Sequence, residues 1–188
     1  MTIAIADSDT ALVQAAVGGN QHSFCQLYRR HQARVRSMLY QLCGAEGIDD
    51  LVQEVFLRAW KGLGKFRHRG QFSTWLYRIA WNVACDRRRA IAQYRERYTV
   101  ASEEVIQQVA DYQSEQELQK MHYRHLVKQG LAQLSLEHRS VLVLHDLEEL
   151  PQKEISAILG VPVGTVKSRL FYARSQMRQF LMNQGVEL

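Results

Sequence analysis

The chain has 188 residues, 46% of them apolar and 23% charged, with 2 Pro, 11 Gly and a net charge of +5. It is long enough for one sizeable core or two small ones, too balanced in composition for wholesale disorder, and too poor in turn residues for an all-β chain. Cys25, Cys43 and Cys85 are odd in number and dispersed, with no CxxC or Cys/His cluster, which argues against a disulfide scaffold or a zinc site and fits a reducing cytoplasm. Residues 1–10 lack a basic segment followed by an apolar run, and no apolar stretch is long enough to span a bilayer. Neither a signal peptide nor a membrane span is therefore expected.

Apolar residues recur at helical spacing along the chain. Asp9 or Thr10 is expected to cap a short helix, Ala11–Val17, ended by Gly18 and Gly19. Asn20 opens a longer helix whose Phe24, Leu27, Tyr28, Val35, Met38, Leu39 and Leu42 form one stripe,. His31 falls on that stripe and reads as a core or boundary histidine rather than a metal ligand. Gly44 and Gly47 end this helix. Asp49 and Asp50 open a third helix, where carboxylates suit the positive helix end. Val52, Val55, Phe56, Ala59 and Trp60 give its buried stripe, and Gly62 and Gly64 break it.

After a loop, Lys65–Phe72, Ser73 or Thr74 caps a fourth helix running to about Arg89. Arg95–Gln119 reads as a linker, partly helical at most. Leu126, Leu131 and Leu134 lead into a second apolar block. Ser135 caps a helix carrying Val141, Leu142, Leu144 and His145, and residues 147–150 form a turn. Pro151 suits the first position of a helix over Gln152–Leu159, ended by Gly160. Pro162 and Gly164 set up a last helix, about Val163–Met182.

The charge is unevenly placed. Residues 58–97 hold eleven Lys/Arg against Asp86 and Glu96. Residues 99–120 hold five acids and one Lys, and residues 163–182 hold four Lys/Arg and no acid. Two basic blocks flanking an acidic connector point to two polyanion-binding modules. A solvated helix face explains any one such run alone.

Residues 151–178 have the layout of a helix-turn-helix. Ile155, Ile158 and Leu159 are expected to pack on Val161, Val166 and Leu170, with the small Ala157 permitting close approach. The second helix would enter a major groove N-terminal end first, presenting Thr165, Lys167, Ser168, Arg169, Phe171, Tyr172 and Arg174 to bases and phosphates.

The other informative stretch is Phe72–Asn82. Leu76, Ile79, Ala80 and Val83 form a core face, while Thr74, Arg78, Trp81, Asn82, Cys85 and Arg89 share another. Aromatics stack bases for roughly 1–3 kcal/mol each while cations hold the backbone, which suits single-stranded or melted DNA. Trp75 borders the apolar face and reads as core. Trp81 is open between core and stacking platform.

The runs 49–60 (DDLVQEVFLRAW), 72–80 (FSTWLYRIA) and 164–170 (GTVKSRL), in this order and at these separations, resemble the extracytoplasmic-function (ECF) sigma factors of bacterial RNA polymerase. The resemblance covers about residues 10–90 and 125–182. It implies an all-α protein of two small helical domains, a sigma-2 helical bundle over 1–92 and a sigma-4 helix-turn-helix domain over 125–188, joined by a flexible acidic linker over 93–124. It implies core polymerase binding at the β′ clamp through Asp49, Asp50, Gln53, Glu54, Arg58 and Trp60, with sigma-4 on the β flap. It implies −10 element binding by Lys65, Phe66, Arg67, Arg69, Phe72, Thr74, Arg78, Trp81, Asn82 and Arg89, with a flipped base held in the loop. The −35 element would be read by Thr165, Lys167, Ser168, Arg169, Phe171, Tyr172 and Arg174.

The acidic linker would thread towards the active-site cleft. An anti-sigma factor covering both domains is a further expected partner. Ser135 and Pro151 depart from the family's usual residues but still suit helix starts, and Tyr172 stands where the family often has Arg. The resemblance implies promoter recognition and melting in the cytoplasm by a protein that is not an enzyme and needs no cofactor or metal.

An ordinary dimeric helix-turn-helix regulator would explain residues 151–178 but leave 49–60 and 72–82 unused. A redox or metal sensor built on Cys25, Cys43 and Cys85 finds little support in their spacing.

Overall fold

The computed structural model describes residues 8–66, 71–97 and 115–186, without the side chains of 95–97 and 115–120. The expectations for Arg67, Arg69 and residues 98–114 lie outside this set. Among the described residues there are eight α-helices and no strand. They are α1 Asp9–Val17, α2 Gln21–Cys43, α3 Ile48–Gly62, α4 Phe72–Arg97, α5 Glu115–Gln133, α6 Leu136–Leu142, α7 Gln152–Leu159 and α8 Val163–Asn183.

In the first half α2 is the axis, packed on α1, α3 and α4. Its expected stripe is real: Leu27, Val35, Met38, Leu39 and Leu42 are buried, with Phe24 and Tyr28 at the margin. Asn20 caps α2 by accepting from the Ser23 amide. The cap of α1 is Ser8, which accepts from the Ala11 amide, and not Asp9 or Thr10. Asp9 instead turns its carboxylate to Arg30 and His31, the latter at 2.7 Å. His31 is thus a boundary residue tying α1 to α2.

Two expectations fail around α3 and α4. Trp60, which the periodicity puts in the buried stripe of α3, is 39% exposed. Helix α4 starts at Phe72, ahead of Ser73 and Thr74, and runs to Arg97 rather than Arg89. Its last turns carry Arg and Gln residues, good helix formers that need no buried face. Helix α5 likewise begins at Glu115, inside the span read as linker.

In the second half Ser135 caps α6, accepting from the His138 amide. A π-helical turn, Val143–Leu147, follows α6 directly. Its wider winding is invisible to a 3.6-residue periodicity. Gly160 takes φ 70° to close α7, and Pro151 stands just before α7 as its cap residue rather than inside it. Ile155, Ile158, Val166 and Leu170 are buried between α7 and α8, with Leu159 and Val161 half-buried against them. Ala157, expected in that interface, is exposed.

The two halves share one core. Helix α7 packs along α4, and α2 touches α6 and the π-helical turn. The buried residues of both halves form a single cluster, from Leu12 to Ala173. Arg139 of α6 donates to the Leu42 carbonyl at the end of α2 (3.3 Å), and to Ala132 (2.7 Å) and Leu134 (3.3 Å).

Gly130 is buried where α5 meets α8, and a Cβ there would stand 2.5 Å from Met177 Sδ and 2.8 Å from Phe180 Cδ1. Gly130→Ala is expected to destabilise the chain by about 1–3 kcal/mol through overpacking, outweighing the better helix propensity of alanine. Urea unfolding measures it, and an unchanged or raised midpoint would contradict this packing.

Candidate nucleic-acid interface

Three surfaces collect the residues singled out by sequence. The first is on α3. Gly47 begins this helix without a side-chain cap, and the exposed carboxylates of Asp49 and Asp50 compensate its positive end. Asp49 pairs with Arg36. Arg58 is clasped by Asp86 at 2.8 Å and Glu54 at 2.7 Å, and these hydrogen bonds raise its pKa. Gln53 is exposed alongside.

Beyond these polar groups lies an apolar groove of about 420 Å³, lined by Phe24, Tyr28, Phe56, Leu57 and Trp60 among others. The Phe24 and Trp60 rings meet edge-on at 4.8 Å between centroids. Leu57, 53% exposed, was missed by sequence reasoning. The signal was present, because Leu57 is the one large apolar residue of α3 standing off the Val52–Val55–Phe56–Ala59 stripe.

The second surface is the start of α4. Phe72 is only 4% exposed and sits in an aromatic cluster with Phe66, Trp75 and His31, at 6.1, 5.7 and 5.3 Å between centroids. The family resemblance puts Phe72 at the DNA surface. It is instead a core residue, because burying its ring against three others gains more than leaving it in water. Trp75 is half-buried in the same cluster, as expected. Trp81 is also half-buried against the core, with one part open.

Arg78, Asn82 and Arg89 are exposed along one side of α4, and Lys65 is exposed before it. Arg89 is bonded to Asp86 at 3.0 Å. Thr74 is not free: its hydroxyl donates to Glu154 of α7 at 3.0 Å. Tyr77, 3% exposed, was also missed. Burial, and the Glu148 carboxylate beside it, push its phenol up to about 12, against the opposing Arg34.

The third surface is α8, which carries no acidic residue. Lys167 and Ser168 are exposed, with Thr165 and Arg169 half-buried at the edge. Phe171, 70% exposed, and Tyr172 stand side by side, 5.5 Å between centroids, and Tyr172 stacks on His138. Arg174 is engaged elsewhere. Its guanidinium binds both oxygens of Asp146, at 2.6 and 3.0 Å. Burial alone would raise the Asp146 pKa, yet hydrogen bonds from Arg174 and His145 hold it below the usual carboxylate range. The π-helical turn brings Asp146 to α8, so Arg174 ties the two halves of the helix-turn-helix domain together beside a groove lined by Leu142, Leu147 and Met177.

Among the described residues no group of three His, Cys, Asp or Glu is placed to hold a metal ion, and no helix is long and apolar enough to cross a membrane.

Family comparisons fall on these surfaces. Sigma-70 region 2 matches residues 27–94, and Sigma-70 region 4 matches residues 124–177. The ECF RNA polymerase sigma factor SigM of Mycobacterium tuberculosis H37Rv is 34% identical, covering 96% of this chain and 89% of its own. SigW of Bacillus subtilis 168 is 33% identical, over 87% of this chain and 91% of its own. Among solved structures, CnrH in complex with the cytosolic domain of CnrY superimposes with a TM-score of 0.70 at 26% identity, over 94% of this chain and 99% of that one. RpoE of Bartonella quintana in complex with the anti-sigma factor NepR gives 0.70 at 25% identity, over 85% and 96%. The chain belongs to the ECF RNA polymerase sigma factors.

Because the Tyr77 pKa lies above that of an ordinary tyrosine near 10, the unfolded chain loses this proton first as pH rises. Stability is therefore expected to fall between about pH 10 and 12, with this one group contributing about 1.4 kcal/mol per pH unit. Tyr77→Phe removes that share of the slope. Equal slopes in the two proteins, followed by urea unfolding at each pH, would refute the burial of this phenol.

Proposed function

We propose that this chain docks on core RNA polymerase through α3, reads the −10 element with the exposed side of α4, and reads the −35 element with α8. In this reading residues 1–92 act as the sigma-2 domain and 125–188 as the sigma-4 domain. Asp50, Gln53, Glu54 and Arg58 give the polar contacts to the β′ clamp, and Leu57 and Trp60 the apolar ones. The groove beside Arg174 suits the β flap. Lys167, Ser168, Arg169, Phe171 and Tyr172 face the −35 duplex.

The observation that carries the reading is the pairing of an acid-free, aromatic-bearing α8 with a cationic α4 side within one chain. A helix-turn-helix regulator needs only the former. Promoter melting follows from binding: unpaired bases captured beside Arg78, Trp81 and Asn82 offset unstacking costs of a few kcal/mol per base. The chain performs no covalent chemistry.

Contact between α7 and α4 sets a condition on this activity. Thr74 must exchange the Glu154 carboxylate for DNA, so α7 leaves α4 when the promoter is engaged. CnrH was solved with the cytosolic domain of CnrY and the Bartonella RpoE with the anti-sigma factor NepR, and an anti-sigma factor is the matching partner here. It would favour the arrangement in which α7 covers α4.

Reconstitution with bacterial core RNA polymerase tests the whole reading. Transcription of a sheared genomic library should give discrete 5′ ends sharing −10 and −35 elements. Failure to bind core, with tight duplex binding by the chain alone, would overturn it. Lys167→Ala with Arg169→Ala is expected to lower −35-dependent transcription about tenfold or more, with a shallower salt dependence. Unchanged transcription would remove these residues from the interface. Leu57→Ala with Trp60→Ala is expected to weaken core binding about tenfold or more while leaving the thermal midpoint within a few degrees. A wild-type affinity would exclude the groove on α3 as a docking surface.

A further inference from the structure

A cleft of about 450 Å³ lies on the seam between the two halves, walled by the ends of α2 and α4 on one side and by α5 and α6 on the other. Three cations line it, Arg88, Lys128 and Arg139, and no aspartate or glutamate does. Among the described residues none of the three forms an ion pair.

Arg139 is the telling residue. It is 8% exposed. Its terminal nitrogens hold the carbonyls of Leu42 at the end of α2 and of Ala132 and Leu134 at the end of α5, so the partial negative charge of two helix ends is its only compensation among the described residues, and its Nε has no partner. Buried charges are ordinarily paired, because leaving one uncompensated is costly. Here the next charged neighbour is another cation: burial lowers the Arg139 pKa, and Arg88 lowers it further. Lys128 adds a third positive charge, its ammonium 5.4 Å from the centroid of the Tyr40 ring. Like charges gathered in a cleft between two packed halves, with no carboxylate among them, are arranged for an anion.

The size of the cleft narrows the class. It is far roomier than a single anion of water-like dimensions requires and falls in the range of small-molecule sites. Ile91 and Leu131 give it apolar wall, and Tyr40 an aromatic one. Guanidinium forks match phosphate oxygens in pairs. We propose that this seam cleft binds a small phosphate-bearing molecule of nucleotide size and that the bound anion, touching both halves, holds α7 against α4. A ligand that contacts the closed arrangement and loses half its contacts in the open one shifts the balance by its differential affinity. The inference rests on the packing of the two halves and not on promoter recognition, so each can fail alone.

The probe is ADP, titrated calorimetrically into the full chain at fixed ionic strength, with citrate as a carboxylate competitor. Saturable one-to-one binding is expected, at least tenfold weaker in Arg88→Ala and in Lys128→Ala, both half-exposed positions whose truncation spares the core. Binding in the Lys167→Ala, Arg169→Ala double variant should match wild type. Amide exchange in α4 and α7 should slow when ADP is added. Absence of binding, full binding in both cleft variants, or loss of binding in the α8 double variant would overturn the site. Displacement by equimolar citrate would overturn the phosphate class, and unchanged exchange would overturn the clamp.

Discussion

The packing of α7 along α4 governs what the remaining surfaces of this chain can do. Helix α4 carries the aromatic-cationic side suited to melted DNA, and α7 is the first helix of the helix-turn-helix. When they meet, the apolar residues of both halves merge into one cluster, and Glu154 occupies the Thr74 hydroxyl. Each half is small, and a small helical unit gains much from covering part of its surface with another. The same burial that stabilises the closed arrangement therefore engages a group that the proposed promoter contact needs. Lys167, Ser168, Phe171 and Tyr172 of α8 remain outward at the same time.

Polar groups on the seam act in both directions: Thr74 and Arg139 hydrogen-bond across it, while burial of the Arg139 charge works against it. Arg139 holds three helix-end carbonyls, the farthest ninety-seven residues away in sequence, and among the described residues no carboxylate pairs with it. A buried cation with no carboxylate partner makes the closed arrangement cheaper to open than its apolar area alone implies. Tyr77 belongs to the same seam, its phenol beside Glu148 and Arg34. The arrangement is held by apolar contact and by a few hydrogen bonds across the seam, which suits the proposed opening on a large partner.

Much of this was legible in the sequence. The apolar stripe of α2, the caps Asn20 and Ser135, and Gly160 at the end of α7 are local signals, and local physics fixes them. The three family motifs fall on helices α3, α4 and α8. What was not legible depends on contacts between distant segments. Arg174 looked like one more cation of the recognition helix, because nothing in α8 reveals that a π-helical turn delivers Asp146 to it. Phe72 looked like part of an exposed loop, because its cluster with Phe66 and His31 forms only once α2 and α4 pack. Trp60 fits the periodicity of the α3 stripe yet lies at its margin, where the groove with Phe24 leaves it open. Ala157 fits a close helix crossing but faces water. The length of α4 was underestimated because its final turns have no apolar face to betray them.

The account turns on the seam being closed in the free chain and open on the promoter. The direct test is the distance between labels at Ala90 of α4 and Ser175 of α8, both exposed, in a variant freed of Cys25, Cys43 and Cys85. Pulsed dipolar spectroscopy should give one narrow distance distribution for the free chain and a clearly different one with core RNA polymerase and promoter DNA. The same distance in both states would contradict the account.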